Sequence, residues 1–272
     1  MKGLLVLLAH SLKRVRTIVI AMGVLLVVFQ VFLIVVARSI QRSNTFEQMG
    51  SLMPAFVREM LGPSFASMMS FSGIVCLGYF HLAVMGALVA LSIALGTMPT
   101  SEVETGFMDL ILSRPLARHW VITRSTIVVM ICTSILLAMM MAGTWAGLNG
   151  LAPKDIAWPE PRLVLSLAIN LGLLMLCWSG IAMAIGAASR RRSVASVIAG
   201  LLALAMFLLD YVARAWQPAQ TVAWLSPFRY HSPFELLMGK ALPVGNILVL
   251  TGFAVAGFAL AYFLFSRRDI SH

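Results

Sequence analysis

Side chains able to do chemistry are few in this 272-residue chain, and most of them stand alone. His81 sits by itself in the uncharged stretch from Glu59 to Glu102, with no neighbouring His, Cys, Asp or Glu to complete a metal site, so a buried, hydrogen-bonded imidazole is expected. Asp210 and Arg214, spaced i and i+4, can pair on one helix face, and mutual neutralisation is expected ahead of a substrate or gating role. Cys76, Cys132 and Cys177 fall inside apolar runs without a C-x-x-C pair, which points away from a disulfide framework or a zinc site. No G-x-S-G, no paired intramembrane aspartates and no H-E-x-x-H occur, so the chemistry of an intramembrane protease is not expected. Nor is there a G-x-x-x-x-G-K-[ST] loop: Gly239-Lys240 is followed by Ala and lacks the upstream glycine. The expectation is a chain with no catalytic residue, no metal and no cofactor of its own.

The elements that hold these residues follow from composition. Apolar residues make up 60% of the chain, charged residues 11%, and the mean hydropathy is +0.95. Soluble domains carry about 25% charged residues. Charge-free runs extend from Arg16 to Arg38, Glu59 to Glu102, Arg124 to Lys154, Arg162 to Arg190, Arg192 to Asp210 and Lys240 to Arg267. About 20 apolar residues in a helix cross a hydrocarbon core of about 30 Å. Six spans are therefore expected, at about 17–37, 71–98, 125–148, 163–188, 193–213 and 246–266: an all-α, polytopic membrane protein forming one domain over residues 1–272. Residues 1–16 read as a separate interfacial helix, and the first apolar run is too long for a signal h-region. A helical patch is expected at 46–61, stopped by Gly62-Pro63. Nothing is left for a soluble nucleotide-binding domain, so energy must come from a partner or a gradient.

The net charge of +10 resides at span ends, in Lys13, Arg14 and Arg16, in Arg190 to Arg192, and in Arg267 and Arg268. With both termini inside, the inner segments hold 12 basic against 4 acidic residues (net +8), and the outer segments 8 against 6 (net +2). The positive-inside rule then places both termini in the cytoplasm. Contact with membrane lipid explains the charge better than nucleic acid does. Gln30 and Asn170 are expected to hydrogen-bond between helices. The run Met139 to Met141 suits either helix packing or an adaptable surface for lipidic cargo.

Two polar segments are patterned. In the first, Ser101 and Glu104 form a capping box, Val103, Phe107, Leu110 and Ile111 share a helix face, and Pro115 ends the run. Gly106 in its middle points to close packing against another backbone. This is an amphipathic helix over 101–115, between the second and third spans. It serves either as a connector resting on lipid or as a docking element. In the second, Trp224-Leu-Ser-Pro227-Phe228-Arg-Tyr-His-Ser232-Pro233-Phe234-Glu235 combines a capping box with Pro at the first helical position and Gly239 as a stop. Such a helix is too short to span, and Trp224, Phe228, Tyr230 and Phe234 would anchor it in the outer leaflet.

The run Glu102-x-Glu104-Thr-Gly106-Phe107-Met-Asp109-Leu110-Ile111-Leu-Ser-Arg-Pro115-Leu-Ala-Arg118 resembles the cytoplasmic signature of ABC transporter type-2 permeases, the membrane-spanning subunits of ABC exporters. Chain length, six spans, the long outer loop before the last span and the tail Phe265-Ser-Arg-Arg-Asp269 are similar as well. Phe107-Met108 departs from the usual Thr-Leu, and Arg124 stands near a position where Lys is common. The resemblance implies that the 101–115 helix couples to a separate ABC ATPase subunit, which binds ATP and Mg. It also implies that a second permease subunit, the same or homologous, completes the pathway. Residues around 227–235 would form a re-entrant outer gate, and the setting would be the plasma membrane of a bacterium or archaeon. A gradient-driven carrier, which would show discontinuous helices or paired ionisable residues at the midplane, and a non-transporting scaffold or assembly factor remain the alternatives.

Overall fold

A computed structural model describes residues 2–42, 68, 70–105 and 119–267, and those residues build six helical crossings with no strand among them. The first, α1, is one uninterrupted helix over Lys2–Arg42, about 60 Å long. A separate interfacial helix over 1–16 is therefore not what forms. No Gly or Pro interrupts residues 11–20, and Ser11, Val15, Val19 and Leu26 lie buried along one face while Lys13, Arg14 and Arg16 stay exposed. One core-facing stripe thus runs straight through the basic cluster.

The second crossing is discontinuous where a single span was expected. It comprises α2 (Phe71–Cys76), a 3-10 turn at Leu77–Tyr79, α3 (Leu82–Gly96) and α4 (Met98–Glu104). At the break His81 is extended (φ −60°, ψ 129°), and its Nδ1 accepts the Ala83 N–H at 3.3 Å. His81 is accordingly a half-exposed helix cap, its ring edge-on to Phe29, and not the buried imidazole expected.

The other crossings are α5 (His119–Leu151), α6 (Pro161–Ala188), α7 (Arg192–Ala213) and α10 (Val244–Arg267), each within a few residues of its expected bounds. Between α7 and α10 lie two one-turn helices, α8 (Gln217–Gln220) and α9 (Pro233–Leu237), and 3-10 turns at Ala223–Leu225 and Pro227–Tyr230. The helical patch expected at 46–61 and its Gly62-Pro63 stop lie outside the described residues.

α6 is the central and most buried crossing, and α10 packs on it most extensively. Their backbones meet at Gly180 and Gly257: a Cβ on Gly180 would lie 2.8 Å from the Ala254 carbonyl oxygen, and one on Gly257 would lie 2.6 Å from the Gly180 carbonyl carbon. Lipid supplies no hydrophobic drive between helices, so this approach of small residues is what lets dispersion hold the pair. Cys76, Cys132 and Cys177 are free and buried. Gln30 and Asn170 are wholly buried, yet their amide groups find no hydrogen-bond partner among the described residues, contrary to the bridging role expected. The amide of Gln30 instead rests against the bare backbone of Gly78. Met140 is fully buried and Met139 fills the notch over Gly23, so this part of the methionine run packs helices together.

Candidate functional site

The bundle has two polar ends. The basic end gathers Lys13, Arg14, Arg124, the 97–105 elbow and Arg190 to Arg192. The far end carries the break at His81, the 149–162 loop and the 214–243 segment.

At the basic end α3 closes at Thr97, whose hydroxyl donates to the Ile93 carbonyl at 3.0 Å, and α4 restarts with Pro99 in its first turn. The capping box expected at Ser101 and Glu104 is not made. Pro99, with no N–H to lose and φ already set for a helix, starts α4 three residues earlier. Ser101 therefore falls inside the helix, buried, and accepts from Arg14 Nη2 at 3.5 Å. Both acids sit in the C-terminal half of α4, not at its start. Glu102 is buried and ion-paired with the equally buried Arg124 of α5. Glu104 is exposed, and its Oε2 accepts the backbone N–H of Arg192 at the first residue of α7, at 2.9 Å. Val103, expected on the outward stripe, packs half-buried against the chain's own core.

The elbow and the end of α3 before it are each tied to α7 once more. Arg192 Nη2 donates to the Ala94 carbonyl at 3.1 Å, and the hydroxyls of Thr97 and Ser196 lie 3.0 Å apart. One short helix thus contacts α1, α5 and α7 through separate polar links. Arg124, Arg192 and Ser196 were not read as site residues. The available signal was Arg124 at the edge of an apolar run, since a buried cation needs an acid and few acids stand nearby. Gly106, Phe107, Leu110, Ile111, Pro115 and Arg118 lie outside the described residues.

At the far end α9 starts with Pro233, as expected, and Gly239 ends the turn with φ +79°, a conformation that favours glycine. Ser232, however, does not cap α9. Its hydroxyl accepts from Asn246 Nδ2 at 3.1 Å and so ties the segment to α10. Glu235 lies 3.8 Å from Lys240. Phe228 was expected as an interfacial anchor but is buried, its ring 5.5 Å from Trp178 and 5.5 Å from Phe207. The 3-10 turn that begins at Pro227 aims it inward, and Ser226 donates to the Met206 carbonyl at 2.8 Å to fix that turn on α7. Trp224 stays exposed, as an anchor should. Phe234 stacks edge-on to Phe80 at 5.3 Å, which joins the outer segment to the break in the second crossing.

Asp210 and Arg214 do pair, at 2.8 Å, with the aspartate mostly covered and the guanidinium mostly exposed. They line a cavity of about 230 Å³ between α3, α7 and the 228–234 segment. His231, which carried no role in the sequence reading, also lines it. Burial pushes its imidazole down to about 4 from 6.5.

A family model described as ABC-2 type transporter matches residues 30–240, well over half of the chain. No curated protein matches it. The match spans the elbow and the 214–239 segment, and the model describes a transport subunit of the membrane.

Proposed function

Since the chain belongs to the ABC-2 type transporter family and is a multi-pass membrane permease component, we propose that it forms the pathway of an ATP-driven exporter. In this reading two permease subunits, identical or homologous, enclose the route, and separate ABC ATPase subunits carry ATP and Mg. The basic end faces the cytoplasm, because the net +8 against +2 distribution follows the positive-inside rule. The setting is the plasma membrane, and the chain itself catalyses nothing.

The observation that carries this reading is the anchoring of the elbow. A partner pressing on residues 101–115 pushes on α4, and α4 is linked to α5 by the buried Glu102–Arg124 pair and to α7 by Glu104 and Arg192. Displacement at the elbow then moves whole helices, since packed interfaces shift as bodies rather than deform continuously. The partner's groove would take Phe107, Leu110 and Ile111, with Pro115 and Arg118 completing the recognised segment. At the far end the aromatic contacts of Phe228 and Phe234, with Pro227, Ser232, Pro233 and Glu235 shaping the turns, would act as the outer gate.

Copurification in mild detergent tests this reading directly. The tagged chain should bring down an ABC ATPase in equal number, and the complex should hydrolyse ATP while the chain alone does not. Phe107→Ala should weaken capture of that ATPase about 30-fold, the equivalent of about 2 kcal/mol for a buried aromatic anchor. Full transport by a complex lacking any ATPase would overturn the proposal.

A further inference from the structure

The cavity at the far end has the composition of a ligand site, and nothing in the coupling scheme uses it. Its polar side is formed by Asp210, Arg214 and His231, its apolar side by rings that include Phe80, Phe207 and Phe234. His231 is 8% exposed, and both its ring nitrogens are covered and without a hydrogen-bond partner among the described residues. Leaving a buried polar group unsatisfied costs about 1–3 kcal/mol, so this imidazole is built to meet something that enters the cavity.

The chemistry of that occupant follows from the three polar groups. A neutral imidazole offers one donor and one acceptor, which is what a hydroxyl group complements. Asp210 and Arg214 cancel in charge, leaving a carboxylate that accepts and a guanidinium with further N–H groups to donate. Because the pair is closed at 2.8 Å, the cavity holds no net charge from these two groups that would select a bare anion or a bare cation. Leu82 and Tyr211 line the same cavity and are 58% and 67% exposed, so its rim is largely apolar and opens on the exposed side of α3 and α7. An apolar tail can lie along that rim while its head sits among the polar groups.

We propose that this cavity binds the neutral, hydroxyl-bearing headgroup of an uncharged amphiphile, with His231, Asp210 and Arg214 hydrogen-bonding its hydroxyls and the phenylalanine rings covering its apolar face. The site shares Phe228, Pro233 and Phe234 with the proposed outer gate, but it lies away from the elbow and does not depend on what drives transport.

The test reconstitutes the full chain in phosphatidylcholine nanodiscs containing a photoactivatable monoglucosyl diacylglycerol. Crosslinks should map to peptides covering 80–85, 207–214 and 228–234. Unlabelled monoglucosyl diacylglycerol should compete at least tenfold better than its per-O-methylated analogue, phosphatidylglycerol or free glucose. His231→Gln, which keeps a donor and an acceptor, should retain labelling, and His231→Phe should lose it at least tenfold. Because the competition order is measured on the unaltered chain, it decides the matter even where the Phe variant fails to fold. Equal competition by the per-O-methylated analogue, which has no hydroxyl, means that the cavity takes only apolar surface, and preference for phosphatidylglycerol means a charged head. Competition by free glucose means a soluble ligand, and scattered labelling means that His231 meets only water. Each of these results overturns the proposal.

Discussion

Glu102 and Arg124, 22 positions apart and both almost fully buried, close an ion pair that fastens α4 to the start of α5. Removing one member leaves the other charge buried and uncompensated, which costs about 3–5 kcal/mol. Glu102→Leu and Arg124→Leu should therefore each lower the midpoint of detergent-induced unfolding sharply. The double replacement should recover most of the loss, because an apolar pair carries no desolvation penalty. Additive losses would mean that the two side chains act independently.

Glu104 works differently, since it is exposed and holds a backbone N–H. Glu104→Ala should cost about 1 kcal/mol or less, in the range of a helix cap. Its effect should show in coupling: ATP hydrolysis by the assembled complex should respond less to reconstitution with the variant, while Glu104→Gln, which keeps an acceptor, should stay near wild type. Equal hydrolysis from Ala and Gln variants would remove the Glu104–Arg192 link from the coupling route.

Six crossings were legible because a single force sets them. A charge-free run the length of a hydrocarbon core has few alternatives to a spanning helix, and each expected span lies on an observed one. What escaped the sequence was decided by local competition. At the elbow two start signals stood two residues apart, and Pro99 prevailed over the capping box because its fixed φ acts before any side chain does. The fate of Glu102 depended on Arg124 approaching across two helices, which no spacing rule encodes. Ser232 looked like a cap until Asn246 of α10 offered it a closer partner. The break at His81 carries no Pro, and Gly78 in its 3-10 turn is its one conventional breaker. The imidazole capping Ala83 and the Phe80–Phe234 contact accompany it, and the second of these is tertiary.

Orientation can be read by cysteine labelling in sealed cells. The native Cys76, Cys132 and Cys177 are buried and should stay silent. Cysteines placed at the exposed Asn149 and Gln220 should react with a membrane-impermeant maleimide from outside, while those at Thr105 and Ser193 should react only after permeabilisation. The reverse pattern would invert the protein and detach the elbow from any cytoplasmic ATPase.

The Gly180–Gly257 crossing should tolerate no added side chain. Gly180→Val drives a branched side chain into the Ala254 carbonyl, and Gly257→Leu meets the Gly180 backbone. Overpacking of this kind costs about 1–3 kcal/mol. Both variants should show lower thermal midpoints in detergent, whereas Gly245→Ala, at a position with open space around it, should not. Equal behaviour of all three would mean that α6 and α10 do not meet at these glycines.

His231 should give the protein an acid-side loss of stability. Its imidazole is held near 4 when folded and titrates near 6.5 when unfolded, so above pH 6.5 both states are neutral and the residue contributes no pH dependence. As pH falls from 6.5 towards 4, the unfolded state takes up a proton that the native state refuses, and stability declines by up to about 3 kcal/mol. Asp210 and Arg214 line the same cavity and are paired with each other at 2.8 Å. Thermal midpoints measured between pH 7.5 and 4.5 should therefore fall more steeply for wild type than for His231→Phe, which has nothing to protonate there. Asp210→Asn breaks the pairing with Arg214 but should leave the wild-type steepness largely in place. Parallel pH profiles for wild type and His231→Phe would mean that the imidazole is protonated in the native state, and the cavity would then present a cation instead of a neutral donor–acceptor pair.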